Sequence, residues 1–192
     1  MNTPDQPAAG PPLPLSEVLI KPSGADCNLA CTYCYYRHRA SPLAGRSPGR
    51  MSDGVLAALV MQATSGGAES VSFCWQGGEP TLMGLPFYEK ATALQARHGA
   101  GVAVVNSLQT NGVLLDRDWA GFLRRHRFLV GLSIDGPRHV HDRCRVFADG
   151  RRSWATVVDR AKLLLDAGVP VNALTVVNDY AARFPEELYE FH

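Results

Sequence analysis

From Leu15 onward the chain repeats one pattern. Short runs of alternating or β-branched apolar residues are followed by longer segments in which apolar residues recur about every 3.6 positions. Strands are predicted over 18–21, 71–75, 102–108, 128–134 and 171–177. Between them, one helix starts at the cap Ser52, with Val55, Leu56, Leu59 and Val60 on one face, and a second runs over about 86–97 with Pro86 in its first turn. A third carries Trp119, Phe122 and Leu123. A fourth, over about 154–167, places Val157, Val158, Ala161, Leu164 and Leu165 on one stripe before Gly168, and a last helix opens at Pro185. Parallel neighbours need crossover connections, so strand-helix alternation predicts an α/β fold, a parallel sheet with outer helices. Gly-rich and polar residues follow the strands at 76–80, 109–112, 135–137 and 178–179, where such sheets build their sites.

The organisation is a Pro-rich leader over 1–14, expected to be mobile, and one domain over 15–192. Residues 40–50, rich in Gly, Pro and Arg, read as an exposed, mobile connection. No sixth strand follows the last helix, which would leave a strand edge open, so the domain reads as incomplete after about five βα units.

Composition narrows the function. Lys plus Arg is 19 and Asp plus Glu is 18, a net charge of +1, which disfavours nucleic acid as a partner. Arg124, Arg125 and Arg127 read as a solvated helix face. No apolar run approaches the 18 or so residues of a membrane span. The N-terminus has neither a basic nor an apolar signal region, so a reducing cytoplasm is expected.

In that compartment the five cysteines, Cys27, Cys31, Cys34, Cys74 and Cys144, point to metal before disulfide. Cys27-Asn-Leu-Ala-Cys31-Thr-Tyr-Cys34 puts three soft thiolates within eight residues. Three ligands on a four-iron cluster leave one iron open to a substrate or cofactor. A structural zinc would need a fourth ligand such as His38 or Cys144, and a plain buried helix face would also produce this spacing. Asn28 and the turn Ser23-Gly24-Ala25-Asp26 argue against a helix there, which leaves the cluster as the favoured reading. Gln76, Gln109 and Asn111 sit at strand ends, where they could bond a peptide backbone or merely cap loops. Cys74, between Phe73 and Trp75, is expected to be a buried, inert thiol. Cys144 could line the site or stand apart.

The triplet resembles that of the radical S-adenosylmethionine (SAM) enzymes. Lys21-Pro22-Ser23, Cys34-Tyr35-Tyr36, the run Trp75 to Met83, Gln109-Thr110-Asn111-Gly112, and Ser133-Ile134-Asp135-Gly136-Pro137 with His141, Asp142 and Arg145 resemble the anaerobic sulfatase-maturating enzymes. The resemblance runs from about residue 18 to 192. It implies a partial (β/α)6 barrel, a [4Fe–4S] cluster on Cys27, Cys31 and Cys34, and SAM chelating the open iron. It places Gly77, Gly78, Glu79, Ser133 and Arg145 around SAM, with Tyr33 near the adenine. Glycine backbone can approach a ligand closely, and a hydroxyl and a guanidinium suit a carboxylate or ribose.

The implied reaction uses a 5′-deoxyadenosyl radical to take hydrogen from a Cys or Ser of a sulfatase peptide, leading to formylglycine. The electron comes from an external donor such as flavodoxin or ferredoxin. Family members continue into a Cys-rich domain with auxiliary clusters and an Asp base, so no catalytic base is assigned within these 192 residues. Maturation of another peptide, or a non-catalytic remnant, remain the alternatives.

Overall fold

In the computed structural model, residues 14–37 and 49–192 are described. The leader up to residue 13 and most of the connection at 40–50, with His38, lie outside them. Five strands, β1 (Glu17–Ile20), β2 (Ser70–Trp75), β3 (Ala103–Thr110), β4 (Leu129–Ser133) and β5 (Val171–Leu174), form one sheet in sequence order. Every neighbouring pair is parallel, with Val18 opposite Phe73, Phe73 opposite Asn106, Leu108 opposite Val130, and Val130 opposite Val171. The crossovers carry α1 (Asp53–Thr64), α2 (Leu85–His98), α3 (Arg117–Arg125), then α4 (Arg138–Cys144) with α5 (Trp154–Asp166); α6 (Pro185–Phe191) follows β5. Ser52 accepts the Val55 N–H, and Asp116 the Trp119 N–H, so both helices start where a side chain satisfies a free donor.

Strand alternation decides what each side chain meets. Val71, Phe73 and Trp75 of β2, Leu108 of β3 and Val130 and Leu132 of β4 are buried against Leu56, Val60, Tyr88, Trp119, Phe122, Leu123, Val157 and Leu164 of the helices. Within this core Trp75 Nε1 donates to Asn106 Oδ1 (2.9 Å), and Asn106 exchanges hydrogen bonds with Gln95 (2.8 and 3.0 Å), so the buried amides are paired. The opposite sheet face carries the exposed Leu19, Val105 and Leu129. Cys74 belongs to that open face: it is half-buried, its thiol 3.3 Å from Glu17 Oε1, which corrects the expected core position.

Two elements depart from the pattern read in the sequence. α4 was not expected, because its only buried apolar residue is Val140 and its other inward side chains are His141 and Asp142. β5 ends at Leu174 instead of continuing to 177, because the Asp135 carboxylate takes the Val176 N–H (3.0 Å) that a longer ladder would have used. Among the described residues no helix is long and apolar enough to cross a membrane.

Candidate active site

The cysteine segment is tied down on both sides. Upstream, Gly78 N donates to Gly24 O (2.8 Å) and Glu79 N to Asp26 O (2.7 Å), joining the turn after β2 to the approach to Cys27. Downstream, Ala30 N donates to Val146 O (2.6 Å) and Thr32 N to Cys144 O (3.0 Å), joining it to the end of α4 and the chain after it. No helix spans Cys27 to Cys34; a short 3-10 turn begins only at Tyr35.

This anchoring brings Cys27, Cys31 and Cys34 to one cavity of about 440 Å³. Its walls also hold Tyr33, Gln76, Gly77, Gly78, Gln109, Thr110, Asn111, Ser133 and Arg145. Eleven of the twelve residues singled out in the sequence thus meet at one place, contributed by the segment after β1, the ends of β2, β3 and β4, and the residue after α4. Tyr35 and Tyr36, quoted above as motif residues without a role, join them, and Val176 joins unanticipated.

The twelfth, Glu79, is fully buried behind the wall. Its Oε1 accepts from Thr81 N (3.0 Å), Thr81 Oγ1 (2.6 Å) and Thr110 Oγ1 (2.7 Å), and its Oε2 from Asn111 N (2.8 Å). Burial pushes its pKa up, and these donors pull it back. The carboxylate therefore braces the turn after β2 against the end of β3.

The glycines also acquire a structural reason. A Cβ on Gly78 would lie 2.1 Å from Asp26 O, and one on Gly77, at φ +119°, would lie 2.9 Å from Gly24 O. Their bareness admits the chain's own cysteine approach, and both still face the cavity.

A buried ionic group forms another wall. Tyr33 Oη donates to Asp135 Oδ2 (2.5 Å), Arg145 Nε lies 3.0 Å from the same oxygen, and the guanidinium sits 5.4 Å from the Tyr33 ring centre. Burial pushes the Tyr33 phenol well above its usual value, so it keeps its proton. Burial alone would lower Arg145, but the Asp135 carboxylate outweighs it and holds the guanidinium charged. Behind this group, Asp135 N donates to His141 Nδ1 (3.3 Å), His141 Nε2 meets Ser153 Oγ (3.0 Å), and Ser153 Oγ donates to Arg145 O (2.8 Å). The serine proton is engaged by that carbonyl, so His141 carries its own on Nε2. Burial, with Arg145 nearby, lowers the His141 pKa to about 4. In the sequence Asp135 and His141 stand only as motif residues without a role, because Asp-Gly-Pro there reads as a turn, and Ser153 is not singled out. The signal for Asp135 is its position at the end of a strand.

The residues fit an iron–sulfur cluster with an open iron and an amino-acid ligand. Thiolates suit iron, and among the described residues this cavity brings neither a fourth cysteine nor a histidine to the three. No described group of three His, Cys, Asp or Glu side chains is placed to hold a single metal ion. Arg145 lines the cavity with its Nε paired to Asp135, a buried cationic group of the chemistry that suits an anion or hydroxyl. Burial raises Cys31, and burial likewise raises Cys27, to about 11, so metal uptake here must displace protons.

A second, wider depression of about 850 Å³ lies beyond the cysteine segment, lined by Thr32, Arg138, His139, Asp142, Arg143, Cys144 and Arg152. It includes none of the triplet. Cys144 lies there, accepting from Asn178 Nδ2 (3.5 Å), and not in the thiol cavity.

Comparison with known proteins agrees with this fold. The Radical SAM superfamily model matches residues 22–191. A cysteine-type anaerobic sulfatase-maturating enzyme of Clostridium perfringens is 42% identical over 182 residues, covering 94% of this chain and 48% of that protein. A serine-type enzyme of Bacteroides thetaiotaomicron is 41% identical over 175 residues, covering 91% and 42%. A solved structure, native anSMEcpe with bound AdoMet and Cp18Cys peptide, superposes with a TM-score of 0.86 at 41% identity, over 93% of this chain and 47% of that one. The chain thus spans about half the length of these relatives.

Proposed function

The chain belongs to the radical SAM superfamily, and from that premise we propose that it works in oxidising a Cys or Ser side chain of a sulfatase peptide to formylglycine. Membership implies a [4Fe–4S] cluster and SAM, and the chain is related to the anaerobic sulfatase maturases. The observation that carries the proposal is the single cavity where three thiols face a glycine pair, Ser133 and the buried Arg145.

Cys27, Cys31 and Cys34 would hold the cluster. The Gly77–Gly78 backbone would take the ammonium of SAM, Ser133 and Arg145 its carboxylate or ribose, and Tyr33 would flank the adenine. When bound, cluster and SAM supply reductive cleavage of the sulfonium and hydrogen abstraction from carbon. The protein's residues orient and shield. Asp135 fixes Tyr33 and Arg145 relative to each other, and Glu79 fixes the loops carrying Gly78 and Asn111. Gln76 and Gln109, on the cavity wall, would hold the peptide backbone, and a flavodoxin or ferredoxin would supply the electron.

The test is anaerobic incubation of the reconstituted protein with a reductant, SAM and sulfatase-derived peptides carrying either Cys or Ser. Both are needed, because relatives of the two types are almost equally similar. Release of 5′-deoxyadenosine with a new peptide aldehyde is expected. Cofactor cleavage with both peptides intact would redirect the proposal to another peptide, and no cleavage would leave a binding module.

A further inference from the structure

Asn111, directly after β3, has every polar group of its side chain assigned. Its backbone N–H goes to Glu79 Oε2 (2.8 Å), and its Oδ1 accepts the Val113 N–H (3.0 Å). That acceptance sets which way the amide faces: with the oxygen toward Val113, the NH2 must point at the cysteine segment. There Nδ2 lies 2.8 Å from Asn28 Oδ1 and 3.6 Å from Cys27 Sγ. The residue is 6% exposed, so water competes little for these protons. The Leu29 N–H also reaches the same sulfur, at 3.4 Å. Both amide hydrogens therefore have partners within the chain, which leaves none for a peptide. The Glu79 brace sets the distance, because the carboxylate that anchors Asn111 is itself held by Thr81 and Thr110.

We propose that Asn111 is a positioning residue of the cluster: its amide donates to the Cys27 sulfur and raises the cluster's reduction potential. The inference rests on the cluster reading given above. Reducing an iron–sulfur centre adds negative charge that is shared with its sulfur ligands, so an N–H aimed at one of them stabilises the reduced state more than the oxidised. The donor thereby makes the electron easier to load, a task distinct from contact with SAM or substrate.

The test compares the reconstituted 192-residue chain with Asn111→Asp and Asn111→Leu. The aspartate keeps an acceptor for the Val113 N–H and loses the donor; the leucine removes the donor without adding charge. Iron, sulfide and circular dichroism establish that each has loaded and folded, and the midpoint potential is then read by titration followed by electron paramagnetic resonance. Both variants are expected to be harder to reduce, with the reduction equilibrium lowered about tenfold, which is 59 mV for a one-electron couple. The aspartate should fall further than the leucine. Loaded variants with the parent's potential overturn the proposal. Folded variants that both fail to take up a cluster also overturn it, in favour of a role in assembly. A parent chain that takes up no iron and sulfide overturns the underlying reading itself, and the donor role with it.

Discussion

Gly78→Ala should separate the cysteine segment from the sheet while leaving the rest of the fold intact. The added Cβ would lie 2.1 Å from Asp26 O, 2.6 Å from Ala25 C and 2.7 Å from Ala25 O. All three are backbone atoms, so no side chain can swing aside. Relief requires a shift of about 1 Å or more between the turn after β2 and the approach to Cys27. That shift breaks the Gly78–Gly24 and Glu79–Asp26 hydrogen bonds, which are 2.8 and 2.7 Å long. At 0.5–1.5 kcal/mol each, the loss is about 1–3 kcal/mol. A chain this long changes its melting temperature by about 2–4 °C per kcal/mol. The larger effect falls on geometry, because the displaced segment carries Cys27. The assay is iron and sulfide content after anaerobic reconstitution, with thermal unfolding of the same samples. Gly54→Ala in α1, whose Cβ would meet nothing within 4 Å, is the control and should load like the parent. If Gly78→Ala loads and melts like the parent, the close approach is not what that glycine is for.

Two further outcomes follow from buried groups. His141 has its pKa lowered to about 4 against 6.5 when unfolded, so its contribution to stability is present above pH 6.5 and lost as the pH falls toward 4. Urea titrations at pH 7 and pH 5 should show about 2 kcal/mol of this loss in the parent and not in His141→Gln; equal losses would refute the assignment. Glu79→Gln preserves shape but sets an NH2 against the Asn111 N–H, and should cost about 1–3 kcal/mol in chemical denaturation.

The sheet was legible in the sequence because alternation carries direct information: Val71, Phe73 and Trp75 had to share a face, and they do. The same alternation places Cys74 on the other face, so its misplacement as core was avoidable. The meeting of the strand-end motifs was also legible, since parallel strands deliver their carboxyl ends to one side. What stayed hidden depends on partners distant in sequence. Nothing near Gly78 says that Asp26 will press against it, and nothing near Glu79 says that its charge will turn inward to two threonines. α4 lacked an apolar stripe because His141 and Asp142 hold it through polar contacts, including the Trp154 N–H given to Asp142 Oδ1 (2.9 Å). Likewise Asp135 looked like part of a turn, whereas it joins Tyr33, Arg145 and the end of β5.

The most direct measurement is the inorganic content of the chain reconstituted without oxygen, beside Cys31→Ala. The account predicts about four irons and four acid-labile sulfides per parent chain, a reduced-state paramagnetic spectrum that changes when SAM is added, and loss of all three in the variant. Zinc without labile sulfide, or a cluster whose spectrum ignores SAM, would contradict it.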